Sequence, residues 1–330
     1  MSAIARNLED LVGMVIRNIN QAGLRLPRAE VSWVRALAIA SAVLVVGLMG
    51  VSAATAESLG LPVRLALMSS GHVLVTDHSG SEVVVWNPKK NKVVRRIDIL
   101  GRPTGIAWGW GKVFVGNETT QSVEVYSRKG KLLSVLGGAP GLVAYPNDIA
   151  VDSDAGLVFV VDTEAKQVQV YSYDSGGTLL RTFPAPGVEP LHRPASLTVD
   201  SVRRVVLVSD FGEFGSFSAR ARVNIYDYDG NYVGQISGRH QGSEYRFSAP
   251  QGLTVNGQGQ VYLVDSMRGQ VLVFDQTTLK GVATIGEAGR EQGNLLFPLD
   301  VEINSTTSDV YVTNHRLGRV EVFTGKGLWP

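Results

Sequence analysis

The sequence contains no cysteine. This absence excludes disulfides, thiolate metal ligands, a cysteine nucleophile and a lipid-modified N-terminal cysteine. An excess of charge of one sign is also missing, because 31 Lys and Arg are balanced by 30 Asp and Glu, with no basic block and no acidic tail. Nucleic-acid recognition needs a concentrated positive surface, so we expect no nucleic-acid partner.

Charged residues are scarce, at 18% of the chain, whereas glycine is abundant, with 37 residues. This combination suits many short strands joined by tight turns, and 330 residues are enough for one large all-β domain. The Gly-x-Ser-x-Gly, phosphate-loop and His-Glu-x-x-His motifs are all absent from the sequence. We therefore expect no bound cofactor and assign no catalytic residue.

One long uncharged run, ALAIASAVLVVGLMGVSAATA, occupies residues 36–56 and ends in a small-x-small pattern typical of signal-peptide cleavage. We interpret it as the hydrophobic region of a signal peptide cleaved after Ala56, following a leader region at residues 1–35. Residues 57–330 then form the exported domain. The alternative is an uncleaved membrane anchor, since 21 residues can cross a bilayer. Both interpretations place the domain in the periplasm or outside the cell, with membrane contact only through residues 36–56 if they are retained.

Three short apolar patterns recur six times in the rest of the chain. The first begins with proline: PVRLAL, PTGIAW, PNDIAV, PASLTV, PQGLTV and PLDVEI. The second ends in Asp or Asn: HVLVTD, KVFVGN, LVFVVD, VVLVSD, QVYLVD and DVYVTN. The third is VVVW, VEVY, VQVY, VNIY, VLVF and VEVF. A fourth, looser strand follows every copy except the last, so the sequence predicts a propeller with six blades of four short antiparallel strands.

These three columns resemble the NHL repeat, and VYVTN at residues 310–314 is similar to the related YVTN propeller repeat. The resemblance covers about residues 59–325. It implies an all-β, six-bladed β-propeller of four-stranded antiparallel blades, here preceded by an N-terminal signal or anchor helix. Blade six lacks a clear outer strand, so either residues 327–329 supply one or an open edge accepts a strand from a partner.

In such a propeller the loops before the first strand and after the second strand open on one face. We therefore expect six residues at the mouth of the axial channel: Arg64, His78, Glu118, Asp148, Asp300 and His315. The resemblance to amidating lyases with a histidine-bound zinc implies that a metal, if present, would be bound by His78 and His315. A catalytic zinc normally has three protein ligands, and only these two histidines hold equivalent positions. The Asp or Asn column itself recurs in every blade, which indicates turn residues.

The loop between the second and third strands of blade four, FGEFGSFSARA at residues 211–221, is seven residues longer than its equivalents in the other blades. Aromatic and arginine side chains are enriched at the centres of protein interfaces. We therefore predict a partner-contact surface formed by this loop and the loop at residues 238–249, with Phe211, Phe214, Phe217, Arg220, Tyr245 and Arg246. The alternative is a hydrophobic loop that folds onto its own blade.

The leading hypothesis is an exported NHL-type propeller that acts as a binding or assembly scaffold for another exported protein, peptide or glycan. Propellers of this kind also include lactonases and lyases, so the fold does not specify the function. One alternative is therefore a metal-dependent lactonase or amidating-lyase-like enzyme with its site at the axial channel. A further alternative is a membrane-anchored structural protein of the envelope.

Overall fold

The computed structural model describes residues 59–174, 176–213, 221–239 and 241–325. The leader region and the predicted signal or anchor helix lie outside the described residues, as do the residues 327–329 considered for blade six. The propeller belongs to a compact unit spanning residues 52–323, and of the second unit only residues 324 and 325 are described. The described part of the chain contains no helix with the length and hydropathy needed to cross a membrane.

Six antiparallel sheets follow one another along the chain, and each pairs its strands in sequence order. Blades one to three consist of β1 (Pro62–Leu67), β2 (Val73–Asp77), β3 (Glu82–Asn87), β4 (Lys92–Asp98), β5 (Pro103–Gly109), β6 (Lys112–Asn117), β7 (Ser122–Ser127), β8 (Leu132–Val135), β9 (Pro146–Asp152), β10 (Leu157–Asp162), β11 (Gln167–Ser172) and β12 (Thr178–Phe183). Blades four to six consist of β13 (Pro194–Asp200), β14 (Val205–Asp210), β15 (Arg222–Asp227), β16 (Tyr232–Ser237), β17 (Pro250–Val255), β18 (Gln260–Asp265), β19 (Gln270–Asp275), β20 (Lys280–Ile285), β21 (Pro298–Ile303), β22 (Val310–Asn314) and β23 (Arg319–Phe323). Short 3-10 turns lie at Leu136–Gly138, Ser243–Tyr245 and His315–Leu317. The predicted all-β propeller with four-stranded antiparallel blades is confirmed, with three described strands in blade six.

Burial falls from the axis outwards. Every residue of β2 is buried, whereas most of the outer strand β4 is exposed. Each blade packs between two others, so its inner strands are covered on both faces and read as continuous apolar runs. Blades one and six meet through one of these apolar clusters, in which Trp86 of β3 packs with Tyr311 and Val320. Side-chain packing therefore closes the ring.

The Asp or Asn that ends each second strand is buried and holds two loops together. In blade one, Asp77 accepts hydrogen bonds from the backbone N–H groups of Gly60 at 2.7 Å, Leu61 at 2.9 Å and Ser79 at 3.0 Å. In blade three, Asp162 accepts equivalent bonds from the backbone N–H groups of Ala144 and Tyr145, before β9, and of Ala165, after β10. These are the contacts expected of turn residues, because a short acceptor side chain can hold the backbone of an adjacent loop.

A second recurring bond joins neighbouring blades near the axis. In blade six, the Thr313 hydroxyl, one position before the Asn of β22, donates to the carbonyl of Val63 in blade one at 3.0 Å. The same bond recurs at two other blade boundaries, from Thr76 to Thr104 at 2.9 Å and from Ser209 to Gln251 at 2.7 Å. Buried carbonyls need such partners, so these hydroxyls fix each blade against the next.

Candidate functional site

Arg64, the third residue of β1, crosses the axial channel and is 1% exposed. Its Nε donates to the carbonyl of Asn147 in blade three at 3.2 Å, and its Nη1 donates to the carbonyl of Leu299 in blade six at 3.0 Å. Its Nη2 donates to the carbonyl of Ala195 in blade four. Blade four lies opposite blade one in a six-bladed ring, so the guanidinium occupies the ring axis at this level.

Two buried aspartates surround this guanidinium. Asp300 Oδ1 lies 3.6 Å from Arg64 Nη1, and Asp300 Oδ2 accepts the backbone N–H of Leu65 at 2.8 Å. Asp148 accepts the hydroxyl of Ser196 and the backbone N–H of Ile149. Burial raises the pKa of Asp148 and, more strongly, that of Asp300, while the positive charge of Arg64 opposes both shifts. Asp148 and Asp300 therefore act as internal partners of Arg64 and its strand.

Each of these two aspartates lies against a glycine in the inner strand of the preceding blade. A Cβ on Gly105 of β5 would lie 2.7 Å from the Asp148 Cα, and a Cβ on Gly252 of β17 would lie 1.9 Å from Asp300 Oδ1. Glycine is required at these two positions because the backbones approach too closely for any side chain. The signal for this is in the sequence, since the third position of the inner strands reads Arg, Gly, Asp, Ser, Gly, Asp around the ring.

Glu302 is a channel residue that the sequence reasoning missed. It follows Asp300 by two positions on β21, so both side chains lie on the same side of the strand. Glu302 Oε2 accepts the Thr254 hydroxyl at 3.0 Å. Burial, reinforced by the negative charge of Asp148, raises the pKa of Glu302 to about 7. The fifth position of the inner strands could have revealed it, because alanine fills that position in blades one to three and Thr198, Thr254 and Glu302 fill it in blades four to six.

His78 and His315 lie on the mouth face, which is the side of the ring where the inner strands begin. Each side chain joins its blade to the next one. The Nδ1 of His315 lies 2.9 Å from the carbonyl of Pro62 in blade one, and His78 donates to the carbonyl of Pro103 in blade two. The other ring nitrogen of His78, Nε2, is buried and has no hydrogen-bond partner among the described residues. The bond to Pro103 is therefore made by Nδ1.

Glu118 holds the same position in blade two but departs from this pattern. A carboxylate cannot donate to a carbonyl, and the carbonyl of Pro146 in the next blade instead accepts the Thr104 hydroxyl at 2.5 Å. Glu118 Oε1 pairs with Arg102 Nη1 at 3.1 Å. Glu118 Oε2 is buried, and the described residues offer it no hydrogen-bond partner. Blade closure therefore does not depend on the Glu118 carboxylate.

Charges on the mouth face act on one another. Burial, followed by the positive charge of Arg102 and the proximity of His315, lowers the pKa of His78 to about 4. Tyr145 is half-buried near Glu118 and Arg102. Burial and the negative charge of Glu118 raise the pKa of the Tyr145 hydroxyl. At neutral pH His78 is therefore uncharged, with a hydrogen on Nδ1 and a lone pair on Nε2. We call His78, Arg102, Glu118, Tyr145 and His315 the mouth cluster.

The NHL repeat family model matches residues 144–171, which contain β9, β10 and most of β11. These are the proline strand, the Asp strand and the third strand of blade three, and the other five blades repeat the same three columns. The chain is a six-bladed propeller that contains an NHL repeat, and we call it the NHL propeller. No curated protein matches its sequence.

Two solved structures that share this fold are distant from this chain in sequence. A chain of hydrazine synthase from Kuenenia stuttgartiensis is 12% identical with a TM-score of 0.60, and the match covers 82% of this chain and 97% of that one. A structural-genomics protein of unknown function from Bacteroides thetaiotaomicron is 17% identical with a TM-score of 0.65, covering 81% of this chain and 70% of that one. At these identities the likeness shows the fold alone.

Metal binding by the NHL propeller remains a prediction. The described residues include no group of three or more His, Cys, Asp or Glu side chains placed to bind a metal ion. The six residues predicted at the channel mouth divide into two sets in the structure. Arg64, Asp148 and Asp300 interact at the axis, whereas His78, Glu118 and His315 belong to the mouth cluster.

The predicted partner-contact loops are described in part. Phe214, Phe217 and Arg220 lie outside the described residues. Phe211 is half-buried, with the Arg193 guanidinium 5.4 Å from its ring centre. Tyr245 packs against Gly281 of β20, where an added Cβ would lie 2.1 Å from the tyrosine ring. Arg246 is exposed, and its carbonyl accepts a bond from Arg268. Tyr245 thus contacts the outer strand of blade five, whereas the mouth cluster lies in loops of blades one, two, three and six.

Proposed function

We propose that this NHL propeller is a binding module that holds a polypeptide partner on its mouth face. One observation carries the proposal: His78 Nε2 and Glu118 Oε2 are buried acceptors that no described residue satisfies. Buried polar atoms without partners are uncommon in folded proteins, and each costs about 1–3 kcal/mol. A ligand that donates to both atoms would remove this penalty on binding.

The axis of the ring supports binding on the face rather than through the channel. Arg64 fills the axis with bonds to three other blades. A ligand that approaches from the mouth face therefore finds the channel blocked by this side chain. The strands below are held by paired sheets and buried turn residues, which gives the mouth cluster a rigid base. Functional side chains on loops held by such a scaffold are a common arrangement for recognition.

We also propose that the partner meets the propeller outside the cytoplasm. The apolar run at residues 36–56 and its small-residue end support export. N-terminal sequencing of the protein recovered from the cell envelope should give a chain that begins at Glu57. A mature chain that begins at Met1 or Met14 would contradict the cleaved signal, and its presence in the membrane fraction would identify an anchor.

Panning of the purified protein against a displayed library of random peptides tests the binding function. Enriched peptides should compete for one saturable site and should lose about tenfold in affinity when Glu118 is replaced by Ala. Glu164→Ala is the matched control, because Glu164 is exposed in the corresponding turn of blade three. Failure to enrich any peptide, or equal affinity for both variants, would overturn the proposal. Saturable binding to a glycan array by a protein that retains no peptide would replace the polypeptide partner with a sugar.

A further inference from the structure

The five described outer strands share a β-bulge that exposes an apolar side chain. Near the start of each outer strand the pairing with the third strand slips by one residue, which leaves one residue without a partner. These residues are Val94, Leu133, Leu180, Val233 and Val282, and each is 45–60% exposed. A bulge re-aims the side chain that it carries, so the rim of the propeller presents one apolar residue in each of these blades.

Charge distinguishes blades one and two from the next three blades. Residues 87–96 and 127–135, which contain the bulges of blades one and two, include eight Lys and Arg and no Asp or Glu. All eight basic side chains are exposed. The corresponding residues of blades three to five, 172–181, 227–235 and 275–283, include four Asp and two Lys or Arg. The whole chain has a net charge of +1, so this concentration of positive charge is local. We call residues 87–96 and 127–135 the basic rim.

The two segments of the basic rim form one surface. Arg95 Nη1 of β4 donates to the carbonyl of Lys129, in the turn between β7 and β8, at 2.9 Å. In the same turn an added Cβ on Gly130 would lie 3.1 Å from Ile97 of β4, so the turn packs against the outer strand of blade one. Within the part of the chain that the structure describes, Arg96 pairs with Glu82 and the other seven cations have no ion-pair partner. The fold thus joins two short basic segments from neighbouring blades.

The basic rim lies on the side of the ring opposite the mouth face. The inner strands begin at the mouth face, and neighbouring strands within a blade are antiparallel. Each third strand therefore ends, and each outer strand begins, on the far side of the ring. The turns between β3 and β4 and between β7 and β8 are directed away from the mouth cluster, so a surface that binds them leaves the mouth face free.

We infer that the basic rim docks onto the surface of a bilayer that contains anionic phospholipids. Lysine and arginine side chains are attracted to such a surface, and apolar side chains exposed among them, here Val94, Leu132 and Leu133, enter the boundary between headgroups and acyl chains. An acidic protein partner fits less well, because five of the eight cations are lysines, a residue type depleted at protein–protein interfaces. The inference goes beyond the proposed binding function, since it orients the mouth face away from the membrane.

Binding to vesicles tests the docking. The full-length protein is mixed with vesicles of phosphatidylcholine alone or of equal parts of phosphatidylcholine and phosphatidylglycerol, and the bound fraction is measured by flotation. The protein should prefer the anionic vesicles, and high salt should remove this preference because it screens exposed charges. Residues 1–56 are the same in every variant, so differences between variants report the propeller.

Paired substitutions assign the binding to the basic rim. Lys90→Gln combined with Lys129→Gln removes one cation from each turn, and at about fivefold per cation it should weaken binding to the anionic vesicles about twenty-five-fold. Lys166→Gln combined with Lys280→Gln is the matched control, because it removes two exposed lysines from blades three and five. The control should bind as the wild type does. Unchanged thermal unfolding of both variants shows that the fold is intact.

A fluorescent reporter tests the contact with the bilayer directly. The protein has no cysteine, so Leu133→Cys and Leu180→Cys each create a single site for an NBD label. The two residues occupy the same bulge in neighbouring blades and are 46% and 47% exposed. Anionic vesicles should shift the emission of the label at position 133 to the blue, whereas the label at position 180 should remain in water.

Several outcomes would overturn the inference. Equal binding to both kinds of vesicle, or an equal loss in the two double variants, would remove the basic rim as the cause of binding. A blue shift at both labelled positions, or at neither, would show that the bilayer does not select this part of the rim. Saturable binding of poly-glutamate without vesicle binding would make it a site for an acidic polypeptide. Failure to select peptides for the mouth face would overturn the binding function and leave the membrane docking standing.

Discussion

Arg64 and Asp300 form an ion pair inside the ring, with Nη1 3.6 Å from Oδ1 and side chains that are 2% and 6% exposed. They come from the first and last blades, so the pair joins the two ends of the propeller. The same guanidinium also bonds to carbonyls of blades three and four. One side chain therefore links four of the six blades.

Replacing Arg64 by Met should strongly destabilise the propeller. The change keeps most of the side-chain volume but leaves Asp300 without its buried counter-ion and three carbonyls without a donor. Removing one partner of a buried ion pair costs about 3–5 kcal/mol. Urea unfolding should show this loss, whereas Arg102→Met, which removes a largely exposed guanidinium, should cost less than about 1 kcal/mol. Similar midpoints for the two variants would show that Arg64 is not structural.

Gly252→Ala should destabilise the fold because the new methyl group collides with Asp300. The added Cβ would lie 1.9 Å from Asp300 Oδ1 and 2.5 Å from its Cα, and the backbone contact cannot be relieved by rotating a side chain. Overpacking of this kind costs about 1–3 kcal/mol. Gly257→Ala is the matched control, since an added Cβ there meets nothing within 4 Å. Thermal unfolding should separate the two variants, and equal melting temperatures would contradict the close approach.

Glu302→Gln should change how stability depends on pH. The pKa of Glu302 in the folded protein, about 7, is above its reference value of 4.5. A raised carboxyl pKa means that the folded state holds the proton more tightly, so this group's contribution is full below the unfolded pKa and is lost as pH rises through about 7. Relative to Glu302→Gln, the wild-type protein should lose up to about 2 kcal/mol between pH 5 and pH 8.

The measurement for Glu302 is urea unfolding of both proteins across that pH range. Asp148, Asp300 and Thr254 interact with Glu302 in the channel and are unchanged in the variant, so the difference between the two curves reports the Glu302 carboxyl together with its coupling to the two aspartates. A difference that does not vary with pH would show that Glu302 titrates as an ordinary exposed glutamate.

His78→Ala and His78→Asn should differ in stability. Asn keeps a donor for the carbonyl of Pro103, whereas Ala leaves that carbonyl unpaired, so Ala should be less stable by about 1 kcal/mol. The lowered folded pKa of His78 also makes the wild type acid-sensitive. Its contribution is full above the reference pKa of 6.5 and is lost as pH falls through about 4. As pH falls over this range, the free energy of unfolding should decrease less in both variants than in the wild type. Equal stability of Ala and Asn would argue against the bond between blades.

Thr313→Val should weaken the closure of the ring. The variant keeps the shape of the side chain but removes the hydroxyl that donates to the Val63 carbonyl in blade one. A buried carbonyl left without its donor costs about 1–3 kcal/mol. Thr306→Val, in an exposed turn of the same blade, should stay within about 0.5 kcal/mol of the wild type in the same unfolding assay. Loss of stability in both variants would point to a general effect of valine.

The repeat was readable from the sequence because each strand carries its own local signal. PNDIAV, LVFVVD and VQVY became β9, β10 and β11 with boundaries within a residue or two of the patterns. The turn role of Asp77 and its equivalents was also predictable, since a short acceptor that recurs in every blade serves the blade. Arg64 and Asp300 were both predicted to lie at the axial channel, and they form an ion pair there.

Glu302 and the special position of Glu118 were harder to recognise. Glu302 looks like any charged residue near the end of a strand, and its burial depends on the five other inner strands that surround it. Glu118 occupies the same column as two histidines that join blades. In blades one and six the histidine in this column contacts a proline carbonyl of the next blade. In blade two the Thr104 hydroxyl donates to the equivalent carbonyl, of Pro146, so Glu118 is not needed for that bond, and only the structure could show this.

The sequence by itself determined that this chain forms six blades, because hydrophobic alternation, proline at strand starts and acceptors at turns act between near neighbours. Only the tertiary structure decided what the polar residues do. Arg64 bonds to carbonyls that are 83, 131 and 235 positions away in the chain. These partners come close to Arg64 only when the ring closes, and hydrogen bonds between them are stronger where burial excludes water. The structural role of Arg64 was therefore settled by the buried atoms that it contacts across the ring.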